Sequence, residues 1–124
     1  MTMDEIEQMF GDVETNRTTL PIASTITPDE IRFGQITSKM KDTFRRKNHD
    51  YGNSFHDTWV EFGDKGIITA LTQISHKYHR LVNLGKGTEP MVDESIDDTL
   101  LDMANYCILT IMELEKARNN EKEN

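Results

Sequence analysis

The stretch from residue 94 to residue 116 reads ESIDDTLLDMANYCILTIMELEK, and it decides the fold class of this chain. Its apolar side chains recur at intervals of three and four residues, which is the period of an amphipathic α-helix. They form a predicted core stripe of Ile96, Leu100, Met103, Cys107, Ile111 and Leu114, widened by Ala104 and Ile108. Acidic residues gather at its start and basic residues at its end, as the helix dipole favours. We therefore predict a long helix from about Glu94 to Lys116.

Three more helices are predicted upstream of it. The run Thr27-Pro28-Asp29-Glu30 is typical of a helix start, with threonine as the cap, and this helix is predicted to end near residues 47–48. A short helix capped by Ser54 follows, and a third helix runs from Ile67 to Leu84 until glycine and proline stop it. No stretch alternates as a strand would. The predicted fold is all-α, a small bundle of three to four main helices.

The chain of 124 residues has room for one domain. Residues 1–26 show no sustained period and are predicted to form a loosely ordered N-terminal arm. Residues 27–118 form the predicted all-α domain, and residues 119–124 a disordered tail. The single cysteine, Cys107, cannot form an internal disulfide, and its helical spacing predicts a buried, small apolar residue.

Composition limits the partners of the chain. A formal net charge of −8 and a pI near 4.9 argue against direct nucleic-acid binding, which depends on basic surface. They leave binding of a small anionic ligand open. Apolar runs are too short to span a membrane, and the acidic N-terminus does not resemble a secretory signal. We therefore predict a cytoplasmic protein without membrane contact.

Acidic residues crowd the start of the last helix. Glu94, Asp97 and Asp98 fall within about one turn, where unpaired carboxylates repel one another. A divalent cation would offset this repulsion, because hard cations such as Mg²⁺ take oxygen ligands. Asp102 and Asn105 continue the same side of the helix, and a mid-helix asparagine between apolar neighbours needs a partner. The alternative is a solvated acidic face.

The third helix and the first turn supply candidate ligand-binding residues. A polar side at helical spacing contains Gln73, His76, Lys77 and Arg80, which could meet phosphates and a nucleobase or form a solvated surface. Tyr51 lies in an Asp-Tyr-Gly turn that could present its ring for stacking on a base, with ordinary packing as the alternative.

These residues resemble those of the nucleotide modification associated domain family of phages and bacteria, over about residues 30–115. The resemblance is carried by KNHDYGNSFHDTWVEFGDKG (47–66), ISHKYHRLVNL (74–84) and DESIDDTLLDMANYCIL (93–109). That family looks like a branch of the MazG-like all-α nucleoside triphosphate pyrophosphatases. In those enzymes an ExxE and an ExxD motif hold Mg²⁺, and water attacks the α–β phosphoanhydride. The cofactor implied for this chain is Mg²⁺, with Mn²⁺ as an alternative.

The resemblance implies roles for particular residues. Glu94 and Asp97 fit the second motif, with Asp98 as the alternative second acid, and these three are the implied catalytic and metal-binding residues. Where the first motif is expected, the chain has Gln73 and His76. The implied substrate-binding set is Lys77, Arg80, His76, Gln73, Tyr51, Asp102 and Asn105, with the cations on phosphate and Tyr51 and Asn105 on base or sugar.

The implied function is Mg²⁺-dependent hydrolysis of a free deoxynucleoside triphosphate, modified or unmodified, to the monophosphate and pyrophosphate. Members of the superfamily are typically oligomers, so a bundle completed in a homodimer or homotetramer is implied. The degenerate first motif favours one alternative, a non-catalytic protein that sequesters a nucleotide. A structural or regulatory helical protein is the third hypothesis.

Overall fold

The computed structural model describes residues 25–123 of the chain, with side chains to residue 122, and this part is helical. Its helices are α1 (Pro28–Tyr51), α2 (Ser54–Glu61), α3 (Gly66–Gly85) and α4 (Ile96–Glu123), with a 3₁₀ turn at Gly63–Lys65 between α2 and α3. The described residues contain no strand, which confirms the all-α prediction. Nearly all of the predicted arm, residues 1–26, lies outside them. None of these helices is long and apolar enough to cross a membrane.

The predicted start of α1 is confirmed. The hydroxyl oxygen of Thr27 accepts a hydrogen bond of 3.1 Å from the backbone N–H of Glu30, and Pro28 takes the first helical position. The predicted end near residues 47–48 is wrong, because α1 continues to Tyr51. It ends at Gly52, whose φ of +62° is a left-handed conformation that glycine adopts without steric cost.

The other helix boundaries differ slightly from the prediction. Ser54 is the first residue of α2 rather than its cap, and Asn53 precedes it without a side-chain capping bond. Helix α4 begins at Ile96 and is capped by Ser95, whose Oγ accepts a hydrogen bond of 3.0 Å from the N–H of Asp98. It continues to Glu123, past the predicted end at Lys116, and so includes residues 119–123 of the predicted tail.

Contacts divide the chain into two compact units. One unit is Thr43–Leu114, which contains the end of α1, all of α2 and α3, and α4 as far as Leu114. The other combines Met1–Asp42 with Glu115–Asn124, and its described part is the beginning of α1 and the end of α4. All residues of the candidate site lie in the Thr43–Leu114 unit.

The burial of α4 corrects the predicted core stripe. Ile96, Leu100 and Ile111 are 50%, 46% and 50% exposed. Cys107 is exposed as well, so its predicted burial is wrong. The buried side chains of α4 are polar instead, namely Thr99, Thr110 and Glu113. The physical reason is that helical period identifies residues that share a face, whereas burial requires a neighbouring surface. In this chain the neighbouring surfaces cover the side of α4 that carries Thr99, Thr110 and Glu113.

Large apolar side chains are poorly covered elsewhere too. Among the described residues, the buried hydrophobic side chains are those of Met40 and Ala70, and the largest fully buried side chain is Thr99. Fully burying one large aliphatic or aromatic side chain contributes about 1.5–3 kcal/mol. Other large apolar side chains, such as those of Trp59, Leu81 and Leu109, are only partly covered, so the chain by itself gains only part of the stabilisation that its apolar residues could provide.

Candidate functional site

A pocket of about 320 Å³ lies in the Thr43–Leu114 unit. It is bounded by the end of α1, the turn into α2, and one face of α4. Both helices contribute four residues at positions i, i+3, i+4 and i+7, the spacing that places side chains on one helical face. The lining residues are Phe44, Lys47, Asn48, Tyr51, Gly52, Asn53, Ser54, Phe55, Asp102, Asn105, Tyr106 and Leu109.

Three of the predicted substrate-binding residues meet in this pocket. Tyr51 comes from the end of α1, and Asp102 and Asn105 come from α4. The ring of Phe55 stacks on that of Tyr106, with centroids 6.0 Å apart and an interplanar angle of 26°. Aromatic walls with a few convergent polar groups are characteristic of small-molecule sites. The composition suits a planar ring that carries hydrogen-bonding groups.

Sequence reasoning missed Lys47, Asn48 and Asn53, which also line the pocket. The predicted end of α1 at residues 47–48 placed Tyr51 and Asn53 in a turn, so no helical face connected Lys47 and Asn48 with Tyr51. A signal was available, because Phe44, Lys47, Asn48 and Tyr51 follow one helical face when α1 is continued to Tyr51.

An ion-pair network joins this pocket to α3. The ammonium of Lys47 donates to Oδ1 of Asp102 at 3.0 Å, and that of Lys77 donates to Oδ2 at 3.1 Å. Burial alone would raise the pKa of the Asp102 carboxyl, but the two lysine hydrogen bonds outweigh it and hold that pKa below its usual value. Burial likewise opposes the charge of Lys77, and the hydrogen bond to Asp102 raises the pKa of Lys77 nevertheless. Asp102 is thus an ionised bridge between two lysines.

Arg80 extends the network to the start of α4. Its Nη2 donates to the carbonyl oxygen of Glu94 at 2.7 Å, and its Nη1 donates to the hydroxyl of the buried Thr99. The Glu94 carboxylate lies between two cations, 3.7 Å from Lys77 Nζ and 3.7 Å from Arg80 Nε. The predicted cations of α3 therefore face two of the predicted acids, Glu94 just before α4 and Asp102 within it.

The predicted metal ligands are not assembled as a metal centre. Asp97 and Asp98 are exposed, and Glu94 faces the two cations. Nowhere in the described part of the chain do three or more acidic, histidine or cysteine side chains group so as to hold a metal ion. Carboxylate oxygens have the donor chemistry that Mg²⁺ prefers, but this arrangement does not fit a centre built from three of them. Their metal-binding role stays a prediction.

The two remaining predicted residues of α3 lie outside the network. Gln73 and His76 are exposed, whereas Lys77 and Arg80, the other half of the predicted polar side, are partly buried. The structure thus divides that side of α3 into a solvent-facing part and a part that contacts α4. The contacts of Gln73 and His76 with a base or phosphate stay a prediction.

A second polar contact connects α2 with α4. The Nδ1 of His56 lies 2.6 Å from Oε2 of Glu113, whose side chain is buried. Together with the stacking of Phe55 on Tyr106, this contact anchors α2, and so the turn that lines the pocket, on α4. No local pattern predicts this pair, because the two residues are far apart in the chain.

The chain belongs to the family described as nucleotide modification associated domain 1, whose model matches residues 47–114. This match contains the whole ion-pair network and every lining residue of the pocket except Phe44. No curated protein and no solved structure matches the chain. The family description points to a nucleotide-related role for the matched region.

Proposed function

We propose that this chain binds a free nucleotide in the pocket lined by Tyr51 and Asn105. The observation that carries the proposal is the convergence of Tyr51, Asn105 and Lys47 from two helices on one cavity inside the family region. The volume of about 320 Å³ is at the lower end of the range for small-ligand pockets, roughly 300–1,000 Å³.

The lining suits a nucleobase and its attached sugar. An aromatic ring such as that of Tyr51 offers a face on which any base can stack. The amide of Asn105 both donates and accepts hydrogen bonds, so it can pair with the edge of a base. Asn105 is partly buried on α4, a rigid element from which an amide can discriminate between bases.

Beyond nucleotide binding, we propose a specific activity: the protein is a MazG-like pyrophosphohydrolase that converts a deoxynucleoside triphosphate into the monophosphate and pyrophosphate. It is supported by the sequence resemblance and by the cations Lys77 and Arg80, which could neutralise phosphate charge. Mg²⁺ or Mn²⁺ would supply further charge neutralisation in such a reaction. Its proposed setting is the cytoplasm of a bacterial or phage-infected cell.

A second candidate function is sequestration of the nucleotide without turnover. The specific observation in its favour is that the carboxylates of Glu94 and Asp102 are already paired with cations. Acids matched in this way bind a divalent ion less readily than free ones, since the cations must first be displaced.

Thermal stability and pyrophosphate release separate the two candidates. We expect at least one deoxynucleotide from a panel of mono-, di- and triphosphates to raise the melting temperature, since a ligand at 100 times its Kd stabilises by about 2.7 kcal/mol. Asn105→Ala should weaken that binding about tenfold. If the protein is a hydrolase, pyrophosphate release will require Mg²⁺ or Mn²⁺ and will be lost in Glu94→Gln.

The matched control is Glu89→Gln, which removes an exposed acid close to Glu94 in the chain and should change nothing. Stabilisation without pyrophosphate release from any triphosphate would favour sequestration. Release that is undiminished in Glu94→Gln would contradict the assignment of Glu94 as a catalytic residue. A panel in which no nucleotide changes the melting temperature would overturn nucleotide binding itself.

We further propose that the chain acts as a homodimer or homotetramer. The exposed apolar stripe of α4 supports this, because a second copy could cover it. In sedimentation equilibrium we expect the wild-type protein to exceed monomer mass and Ile111→Asp to shift it towards the monomer. A wild-type monomer at all concentrations up to about 100 μM, a range in which weak association is detectable, would contradict this proposal.

A further inference from the structure

We propose that Lys47 binds a phosphate group of the nucleotide, and that Asp102 is a positioning residue that holds Lys47 at the pocket wall. This inference rests on the proposed nucleotide binding and assigns the parts of the ligand to residues of the pocket. It differs from the role that the sequence suggested for Asp102, which was direct contact with substrate.

Asp102 is poorly placed to be a ligand contact. Each of its carboxylate oxygens already accepts a hydrogen bond from a lysine ammonium, Oδ1 from Lys47 and Oδ2 from Lys77. Its side chain is only 17% exposed. Each oxygen keeps a second lone pair, but little of the carboxylate is open to a ligand. A sugar hydroxyl would also add only a neutral hydrogen bond beside two charge-assisted ones, which are about twice as strong.

The two lysines on Asp102 differ in what else they can reach. Lys77 is 23% exposed, lies near Glu94 as well, and does not line the pocket. Lys47 is 53% exposed and does line it. An ammonium has three N–H donors, and the hydrogen bond of Lys47 to Asp102 uses one. Lys47 therefore has donors left for an anion in the pocket, while Asp102 restrains where its ammonium lies.

Charge and spacing favour a single phosphate attached to a nucleoside as that anion. Among the described residues that line the pocket, only Lys47 carries a full positive charge. Lys47 and Tyr51 are one helical turn apart on α1, about 6 Å of rise, so a base on Tyr51 and a phosphate on Lys47 can belong to one nucleotide. Asn105 faces the same cavity from α4 and remains free to contact the base.

The experiment compares each of the four common 2′-deoxynucleoside 5′-monophosphates with its nucleoside by calorimetry, on the full chain and without divalent ions. We expect the wild-type protein to bind the preferred monophosphate about tenfold or more tightly than the matching nucleoside. Lys47→Met should abolish this difference and leave the affinity for the nucleoside unchanged. Lys47→Arg, which keeps the charge, should preserve most of it.

The variant Asp102→Asn distinguishes between positioning of Lys47 by Asp102 and direct contact of Asp102 with the ligand. If Asp102 positions Lys47, the variant will lose part of the preference for the monophosphate and keep its affinity for the nucleoside. Equal weakening of both ligands would instead show a contact with sugar or base and would overturn the positioning role. The control Lys86→Met removes an exposed lysine outside the network and should behave like the wild-type protein.

Failure of the inference is separable from failure of the proposed function. A preference for the monophosphate that survives in Lys47→Met would overturn the assignment of Lys47 while leaving nucleotide binding intact. Absence of binding by every nucleoside and monophosphate would overturn the proposed function, and the inference with it. Circular dichroism of each variant verifies that it is folded before its affinity is compared.

Discussion

Replacing Gly66 by alanine is expected to lower the free energy of unfolding by about 2–3 kcal/mol, near the upper end of the usual cost of overpacking. Gly66 is buried and begins α3 directly beneath Trp59. A Cβ atom at this position would lie 2.6 Å from the carbonyl oxygen of Trp59, and 2.7 and 2.8 Å from Cδ1 and Cγ of its indole. Because backbone cannot rotate away as a side-chain tip can, α2 and α3 would have to separate.

The cost at Gly66 is steric and does not come from its backbone angles. Its φ of −54° and ψ of −38° are ordinary helical values that alanine adopts readily. Gly34 provides the matched control, since it lies within α1 and a Cβ added there would meet nothing within 4 Å. Gly34→Ala is expected to stabilise by about 0.5–1 kcal/mol, because alanine loses less conformational entropy in a helix.

Urea denaturation followed by circular dichroism and by the fluorescence of Trp59 measures both effects. The fluorescence of Gly66→Ala should differ from wild type in the folded state, since the substitution displaces the indole. Similar unfolding free energies for Gly66→Ala and Gly34→Ala would show that α2 and α3 can move apart at little cost, contrary to this expectation.

The substitution Arg80→Met is expected to destabilise the chain by about 3 kcal/mol. The guanidinium of Arg80 is 19% exposed and donates to the Glu94 carbonyl and the Thr99 hydroxyl. Methionine keeps the length of the aliphatic chain but removes the donor to the buried Thr99 hydroxyl and to the Glu94 carbonyl. It also removes one of the two cations beside the Glu94 carboxylate. When one partner of a buried polar pair is removed, the loss of folding free energy exceeds what the pair itself contributed, because the other group is left buried and unpaired.

The loss at Arg80 should be concentrated at the start of α4. Thr99 and the capping Ser95 belong to that first turn, and the Thr99 hydroxyl also donates to the Ser95 carbonyl at 3.2 Å. Amide hydrogen exchange should therefore accelerate over the first two turns of α4 in Arg80→Met. Arg80→Lys should recover only part of the stability, because an ammonium cannot reproduce the fork of guanidinium donors.

Arg45→Met serves as the control for Arg80→Met. Arg45 is an exposed residue of α1, and such substitutions usually change the unfolding free energy by no more than about 0.5 kcal/mol. An equally small change in Arg80→Met would contradict the role of Arg80 as the link between α3 and α4. Chemical denaturation of the three variants alongside the wild-type protein measures this.

Helix positions were largely predictable because their signals are local. The cap at Thr27 and the glycine and proline after α3 act within a few residues, so a sequence shows them directly. The end of α1 was misplaced because the run from His49 to Ser54 has the composition of a turn, whereas the helix continues until Gly52 adopts a positive φ. That short difference concealed Lys47 and Asn48 as lining residues of the pocket.

The candidate site was only partly predictable. Tyr51, Asp102 and Asn105 were chosen from the sequence and do line one pocket. The partners of Asp102 and Glu94 could not be predicted, because Lys47, Lys77 and Arg80 reach them from other helices. Ion pairs of this kind depend on how helices are packed, and helical period carries no information on that packing.

By itself the sequence determined an all-α chain, the approximate extents of its helices, and the residues that share each helical face. Those properties follow from dihedral preferences, capping and period, which act over one or two turns. Only the tertiary structure decided which face of α4 is buried and which cations pair with its acids. A helix has several faces, and the neighbouring surfaces select among them; here they cover Thr99 and Glu113 and leave Ile96 and Ile111 exposed.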